Sequence, residues 1–294
     1  MSIVRRKQLA REARIRDLKI MLRKIKRSPT TIAGLIMVLI VIFVTAFGEY
    51  IAPYPEDAYK IHPERVFRPP SWEHLFGTDE VGRDVLSRVI LGAKVSVTIG
   101  LGVVLLSILI GVPLGLIAGY VGGWVEVIIM RITDIFLSIP TIILALAISA
   151  MVAPTLENAM FALTIGWWPW YSRLAYGLAK SIKNNDYVLV AKSFGAGPMY
   201  IVFREILPNI LPILAVKATL DIGYAILAEA ILGFLGFGVR PPTPEWGTML
   251  SQGKIHMPEK WWLVTFPGAA IFFTVMAFNL LGDGLRDVLD VSEY

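Results

Sequence analysis

A chain of 294 residues that is 55% hydrophobic and only 17% charged, with a mean hydropathy of +0.64, is more apolar than the roughly 45–50% usual in soluble domains. Its main solvent is therefore read as lipid rather than water. The formal net charge of +5 is unevenly placed, because residues 1–28 hold eleven Lys or Arg against two acids while the remainder is slightly acidic at −4. The absence of cysteine excludes disulfides, thiolate nucleophiles, Cys-ligated zinc and iron–sulfur clusters.

The basic tail, residues 1–30, carries Ile15, Leu18, Leu22 and Ile25 at helical spacing among its cations. That pattern predicts an amphipathic helix lying in the membrane interface. A nucleic-acid arm is the rival, but a basic segment abutting an apolar run already reads as cytoplasmic retention, so no nucleic-acid partner is expected. The run 31–47 has no charge, and aromatic and acidic residues follow it, which predicts an uncleaved anchor rather than a signal peptide. Further apolar runs cover roughly 95–121, 125–153, 158–179, 211–237 and 263–282. The expected fold is all-α and polytopic, with six transmembrane helices and both termini cytoplasmic by the positive-inside rule. The expected divisions are 1–30, a first helix with its outward loop at 31–93, a five-helix core at 94–284 and a carboxyl tail at 285–294. The multi-pass chain is expected in the inner (cytoplasmic) cell membrane, with the lipid bilayer as its surroundings.

No phosphate-cradling GxxxxGK[ST] sequence is present, so any ATP must be handled by another chain. The run Gly233, Gly236, Gly238 ends an apolar span among Phe and Leu, where small residues for close packing explain it better than a nucleotide site. His62, His74 and His256 fall in outward loops without HExxH spacing, and there is no GxSxG elbow, so neither a catalytic nor a metal site is expected. Ionisable residues near the spans are informative, since each costs a few kcal/mol at mid-bilayer, roughly, unless it faces a cavity or a partner. Arg131 with Asp134, and Lys217 with Asp221, are spaced to neutralise each other on one helical face. Glu229 has no sequence-local partner, and the nearest acid, Asp221, lies two turns away. Asp221 and Glu229 are the candidate pathway residues, and for Glu229 both lining a solute path and bridging to another helix or subunit stand open.

The loop 180–210 reads as two short helices. Tyr187, Val190, Ala191 and Phe194 form one apolar face, Gly195 stops the helix, Gly197 and Pro198 restart the chain, and Met199, Val202, Phe203 and Ile206 form a second face. Pro208 and Pro212 punctuate the exit. Such a ridge can seat in a groove on another protein, or pack beneath the chain's own spans.

Within this loop, residues 190–208 resemble the EAA loop of binding-protein-dependent ABC importer permeases. Gly195, Leu207 and Pro208 match in register and Ala191 matches the second Ala, whereas Leu189, Val190 and Glu205 depart from the pattern. HLFGTDEVGRDVLSR at 74–88, PPTPEWGTML at 241–250 and NLLGDGLRDVLD at 279–290 are similar to segments of the C-type permease subunit of dipeptide, oligopeptide and nickel transporters. The resemblance covers roughly 20–290.

The resemblance implies a type I ABC importer permease fold and a transport subunit rather than an enzyme. Its partners would be a homologous second permease, two ABC ATPase subunits that bind ATP and Mg, and an extracytoplasmic solute-binding protein. The chain itself would hold no cofactor. It assigns coupling to the ATPase to Tyr187, Val190, Ala191, Lys192, Phe194, Gly195, Ala196, Leu207 and Pro208. Binding-protein docking falls to Glu73, Asp79, Arg83, Glu245, Trp246 and Lys254, with 74–88 containing an interfacial helix. The solute would be of peptide class, with an oligosaccharide or nickel chelate as alternatives. An ion-coupled secondary transporter and a scaffold protein are the readings from other classes.

Overall fold

The structure, a computed structural model, describes residues 23–26 and 28–289. Of the basic tail only 23–26, which are helical, and 28–30 fall within it. The amphipathic helix expected there and the last five residues of the carboxyl tail lie otherwise outside the described residues.

Helix α1 (Pro29–Ile51) begins at Ser28, whose hydroxyl accepts the Thr31 N–H at 3.3 Å, with Pro29 at the first position, where no N–H is needed. Two short 3₁₀ turns, Glu56–Ala58 and Pro63–Arg65, lead to Asp84, which caps α2 (Val85–Val121) by accepting the Ser87 N–H at 2.7 Å. The interfacial helix expected within 74–88 is instead loop as far as Asp84. Gly77 and Gly82, at φ +72° and +82°, turn the chain in a way no helix continues. Helix α3 (Gly123–Leu137) and α4 (Thr141–Ser149) then meet at an angle of 81°. Pro140 explains the break, because it lacks an N–H and drives Ile139 away from helical geometry.

Helix α5 (Leu156–Ile182) is capped by Thr155, and α6 (Asp186–Ser193) follows as a single short turn pair. The next helix, α7 (Pro198–Phe234), runs 37 residues without interruption. The sequence suggested a separate short helix ending at Pro208, but the ladder absorbs that proline by slipping into π geometry over Ile201–Ile206, where the Leu207 N–H reaches back to the Val202 carbonyl. Helix α8 (Trp246–Gly253), a 3₁₀ turn at Lys254–His256 and α9 (Trp262–Val288) complete the chain. Among the described residues there is no strand, only an isolated bridge between Thr78 and Asp84.

Four helices, α1, α2, α7 and α9, are long and apolar enough to cross a membrane, and the bent pair α3–α4 counts as a fifth if it forms one broken span. Helix α5 is long enough at 27 residues, yet Glu157, Arg173 and Lys180 make it more polar than these. Apolar side chains on α1 and α2, including Leu39, Phe43, Leu105 and Leu109, point outwards as they would toward lipid.

Helices α2 and α7 stand at the centre. One core joins them to α4 and α5, and a second joins them to α1, α8 and α9. Along α2, Gly111, Gly115 and Gly119 face the Trp168, Ser172 and Tyr176 carbonyls of α5 so closely that a Cβ at any of them would strike backbone. This stripe of small residues at every fourth position lets the two helices touch main chain to main chain. At one end of the bundle the chain just before α1 meets the end of α9, where Lys24 Nζ donates to the Val288 carbonyl at 3.4 Å. The α5–α7 hairpin lies at that end, and the loops 52–84 and 235–261 lie at the other.

Candidate functional site

The hairpin is built on one buried anchor. Val188, 1% exposed, turns inward from α6 onto Ile201, Val202 and Ile206, which are fully buried at the start of α7. The opposite side of α6 presents Tyr187, Val190 and Phe194, and Phe194 is 89% exposed. The two expected apolar faces therefore have different fates. Val202 and Ile206 pack beneath the chain's own helices, and the 187–194 face is left uncovered.

Helix α6 ends in a Schellman motif. The Ala196 N–H reaches the Ala191 carbonyl at 3.1 Å, the Gly195 N–H reaches the Lys192 carbonyl at 3.0 Å, and Gly195 holds φ +83°. The reversal encloses a cleft of about 700 Å³ whose lining includes Tyr187, Val190, Phe194, Gly195, Tyr200 and Glu205. Ala191 and Ala196 also border it, whereas Lys192 faces a separate cleft with Lys183. Leu207 is half-buried against the core and Pro208 is exposed, both within α7.

Further along α7, Lys217 Nζ pairs with Asp221 Oδ1 at 2.6 Å, as their spacing predicts. Asp221 is 2% exposed, and the buried Tyr171 hydroxyl faces its carboxylate without a hydrogen bond of ordinary geometry. The pair borders a cleft of about 520 Å³ walled by Trp167, Trp170, Tyr224 and aliphatic side chains. The other expected local pair does not form, because Asp134 bonds to Arg173 of α5 rather than to Arg131. A tertiary partner at the right height outcompetes a neighbour on the same helix.

Glu229 is absent from the lining of that cleft and is 1% exposed. Neither of its oxygens makes a hydrogen bond of ordinary length to a donor. The groups it faces are the Glu245 carboxyl and the Ser96 hydroxyl. Glu245 caps α8, accepting the Gly247 N–H, the Thr248 N–H at 2.8 Å and the Thr248 hydroxyl at 2.6 Å. Gly233 makes room for this carboxylate, since a Cβ there would collide with it and with the α8 backbone. Burial raises the Glu245 carboxyl above the ordinary carboxylate range, against the pull of the Thr248 and Gly247 donors. The glycine run thus serves close packing, and it does so around a buried acid.

The loops at this end are tied down rather than displayed. Arg83 Nε meets Asp79 Oδ2 at 2.7 Å, and Arg88 donates to the Ala58 carbonyl at 2.7 Å and the Pro242 carbonyl at 3.2 Å. His74 Nδ1 lies 2.9 Å from Asp84 Oδ1, and the Trp246 indole donates to the Val89 carbonyl at 2.9 Å. Asp79, Arg83, Glu245 and Trp246 are all buried, so these four cannot offer side chains to a docking partner as the sequence suggested. Charged residues in a short polar loop pair with one another when the loop folds back on a helix end. Glu73 and Lys254 do remain at the surface, as does Trp72, which is 98% exposed.

Residues 111–292 match the family described as the binding-protein-dependent transport system inner membrane component. The chain is 46% identical over 272 residues to the dipeptide transport system permease protein DppC of Escherichia coli (strain K12), covering 90% of each chain. This chain belongs to the binding-protein-dependent transport permeases. Residues 18–70 of the permease match the N-terminal transmembrane domain of oligopeptide transport permease C, which places it among the C-type subunits of the dipeptide and oligopeptide importers. It is also 44% identical over 266 residues to the probable D,D-dipeptide transport system permease protein DdpC of the same strain, covering 90% of this chain and 89% of the relative. Among solved structures, a chain of the MetNI methionine ABC transporter in inward facing conformations superposes with a TM-score of 0.57 at 21% identity, over 70% of the permease and 97% of that chain. That likeness speaks to the fold.

The permease is a multi-pass membrane protein and a transport subunit, not an enzyme; its family works with a partner permease, ATPases and a binding protein. Two features of it were not legible in the sequence, and a third was so only as a signal. Tyr200 and Glu205 close the hairpin cleft, Trp167, Trp170 and Tyr224 wall the cleft beside α7, and Glu245 reaches Glu229. Only the tryptophan cluster left a signal, as aromatic residues concentrated within a span.

Proposed function

We propose that this permease forms half of the translocation pathway of an ATP-driven type I importer for a peptide-class solute, delivered by an extracytoplasmic binding protein. Six spans cross the cell membrane, α5 and the bent α3–α4 pair included, and both termini are cytoplasmic. The hairpin end then faces two ATPase subunits, which hold the ATP and Mg, and the core at 94–284 pairs with a homologous permease. The dipeptide transport function named for relatives at 44–46% identity favours peptides over an oligosaccharide or a nickel chelate.

The observation that carries this reading is the α6 hairpin, with its uncovered apolar face and its glycine reversal leading straight into a 37-residue helix. A partner that grips Tyr187, Val190 and Phe194 differently in two states biases the position of α7, and no chemistry within this chain is required. Trp72, Glu73 and Lys254 are the residues left to meet the binding protein.

Gly195 supplies the test. Nothing lies within 4 Å of a Cβ at this position, so a side chain there meets no clash, and only the positive φ is strained. In the reconstituted complex Gly195→Val is expected to leave assembly intact while separating ATP turnover from solute uptake. Uptake per ATP equal to wild type would remove the hairpin from the coupling path.

A further inference from the structure

We propose that the cleft beside α7 is a binding site for the two charged ends of a peptide, read by Asp221 and Lys217 and walled by Trp167, Trp170 and Tyr224. The proposal rests on the importer reading above and names what its pathway recognises. A path that passes many peptides in turn can rely only on what they share. Side chains differ from one peptide to the next, but each unmodified peptide carries one free ammonium and one free carboxylate.

The pair on α7 matches those two groups. Asp221 Oδ1 is held by Lys217, while Oδ2 is buried and the Tyr171 hydroxyl faces the carboxylate, which has lone pairs beyond these two neighbours. An ammonium entering from the cleft, which Asp221 lines, adds a further donor to that carboxylate. Lys217, whose side chain is 37% exposed, spends one of its three N–H groups on Asp221 and keeps two for a carboxylate. The bound peptide closes an alternating chain of charges, ammonium to Asp221 to Lys217 to carboxylate. Three contacts of about 3 Å, bent at the two side chains, match the roughly 7 Å that two extended residues span. Net charge in the cleft stays at zero before and after binding, so the ligand class is zwitterionic, and a free ion of either sign gains only one of the two contacts.

The walls suit the variable part of such a ligand. Trp170 and Tyr224 are half exposed into the cleft, and Leu227, Ala228 and Ile231 continue the apolar lining. The volume of about 520 Å³ falls within the roughly 300–1,000 Å³ of small-molecule sites. Flat aromatic faces and aliphatic surface accept side chains of many shapes without choosing among them.

The test uses the purified complex without its binding protein and a radiolabelled dipeptide bearing a benzophenone side chain, in zwitterionic form and in N-acetylated, C-amidated form. The zwitterionic probe is expected to crosslink to 167–170 and 217–231 and to be competed by unlabelled dipeptide. Lys217→Met and Asp221→Asn should each lower that labelling about tenfold, and the blocked probe should label weakly and equally in all three proteins. Equal labelling by the blocked probe, or labelling elsewhere in the complex, overturns the proposal. Lys217→Met decides the outcome if Asp221→Asn fails to fold, since Lys217 reaches solvent. Wild-type labelling of the Lys217→Met complex is therefore sufficient to reject the site. ATP turnover stimulated by the binding protein, measured on the same wild-type preparation, reports separately on the importer reading.

Discussion

Helix α7 carries two buried acids two turns apart, and they are kept in opposite ways. Asp221 is neutralised by Lys217 from its own helix, on a wall open to a cleft. Glu229 is sealed in the contact with α8, and what faces it is a second carboxyl. An ion pair on one helix survives any movement of that helix, because both charges travel together. A carboxyl pair shared between two elements exists only while the elements touch. The first arrangement suits a surface past which something moves, and the second marks a contact whose strength depends on a proton.

The comparison breaks most sharply at Gly233. Valine there drives a side chain into the Glu245 carboxylate and the α8 backbone, and overpacking of this kind costs about 1–3 kcal/mol or more. Loss of monodisperse complex in detergent is the expected readout, and normal yield would mean that α8 can lift off α7 freely. Next in size, Asp221→Asn removes the partner of a half-buried lysine and should lower stability by about 1–3 kcal/mol. Glu245→Ala strips three donors of their acceptor at the start of α8, an effect of about 1–2 kcal/mol, visible as a lower melting temperature.

Glu229→Gln should be close to neutral, within about 0.5 kcal/mol, because an amide can donate to the Glu245 carboxylate as a protonated acid does. The same variant isolates the pH dependence. Glu245 has its carboxyl raised in the folded chain, so its contribution is fully present below the ordinary value near 4.5 and is lost as pH rises through the raised one. Wild-type melting temperature should therefore fall as pH climbs from that value toward neutrality, and Glu229→Gln should flatten the curve. Parallel curves would show that the two carboxyls do not share a proton. A similarly small change is expected for Ser96→Ala, which removes a 3.4 Å contact to the Trp246 N–H and the hydroxyl that faces Glu229 and should cost under about 1 kcal/mol.

What could be read from the chain follows the same division between local and distant partners. Lys217–Asp221, the Gly195 stop and the apolar lengths of α1, α2 and α9 are set by neighbours within four residues or by composition. They were visible because helical periodicity puts such neighbours on one face. The Glu229–Glu245 contact, the Asp134–Arg173 pair and the burial of Asp79 and Arg83 depend on which elements come to lie together, and spacing in sequence carries no such information. Pro208 misled in another way. Proline reads as a stop in the sequence, but the π turn over Ile201–Ile206 absorbs it. Pro140, with no such continuation, bends the chain by 81°.

The glycine stripe between α2 and α5 bears on how the molecule can move. Two backbones in contact over three successive turns leave no clearance for one helix to tilt against the other, so the pair behaves as a single plank. Rocking during transport then has to be taken up elsewhere, at the Ser138–Pro140 break or where α7 and α8 meet around their paired acids. The plank gives the moving parts a fixed edge to turn on.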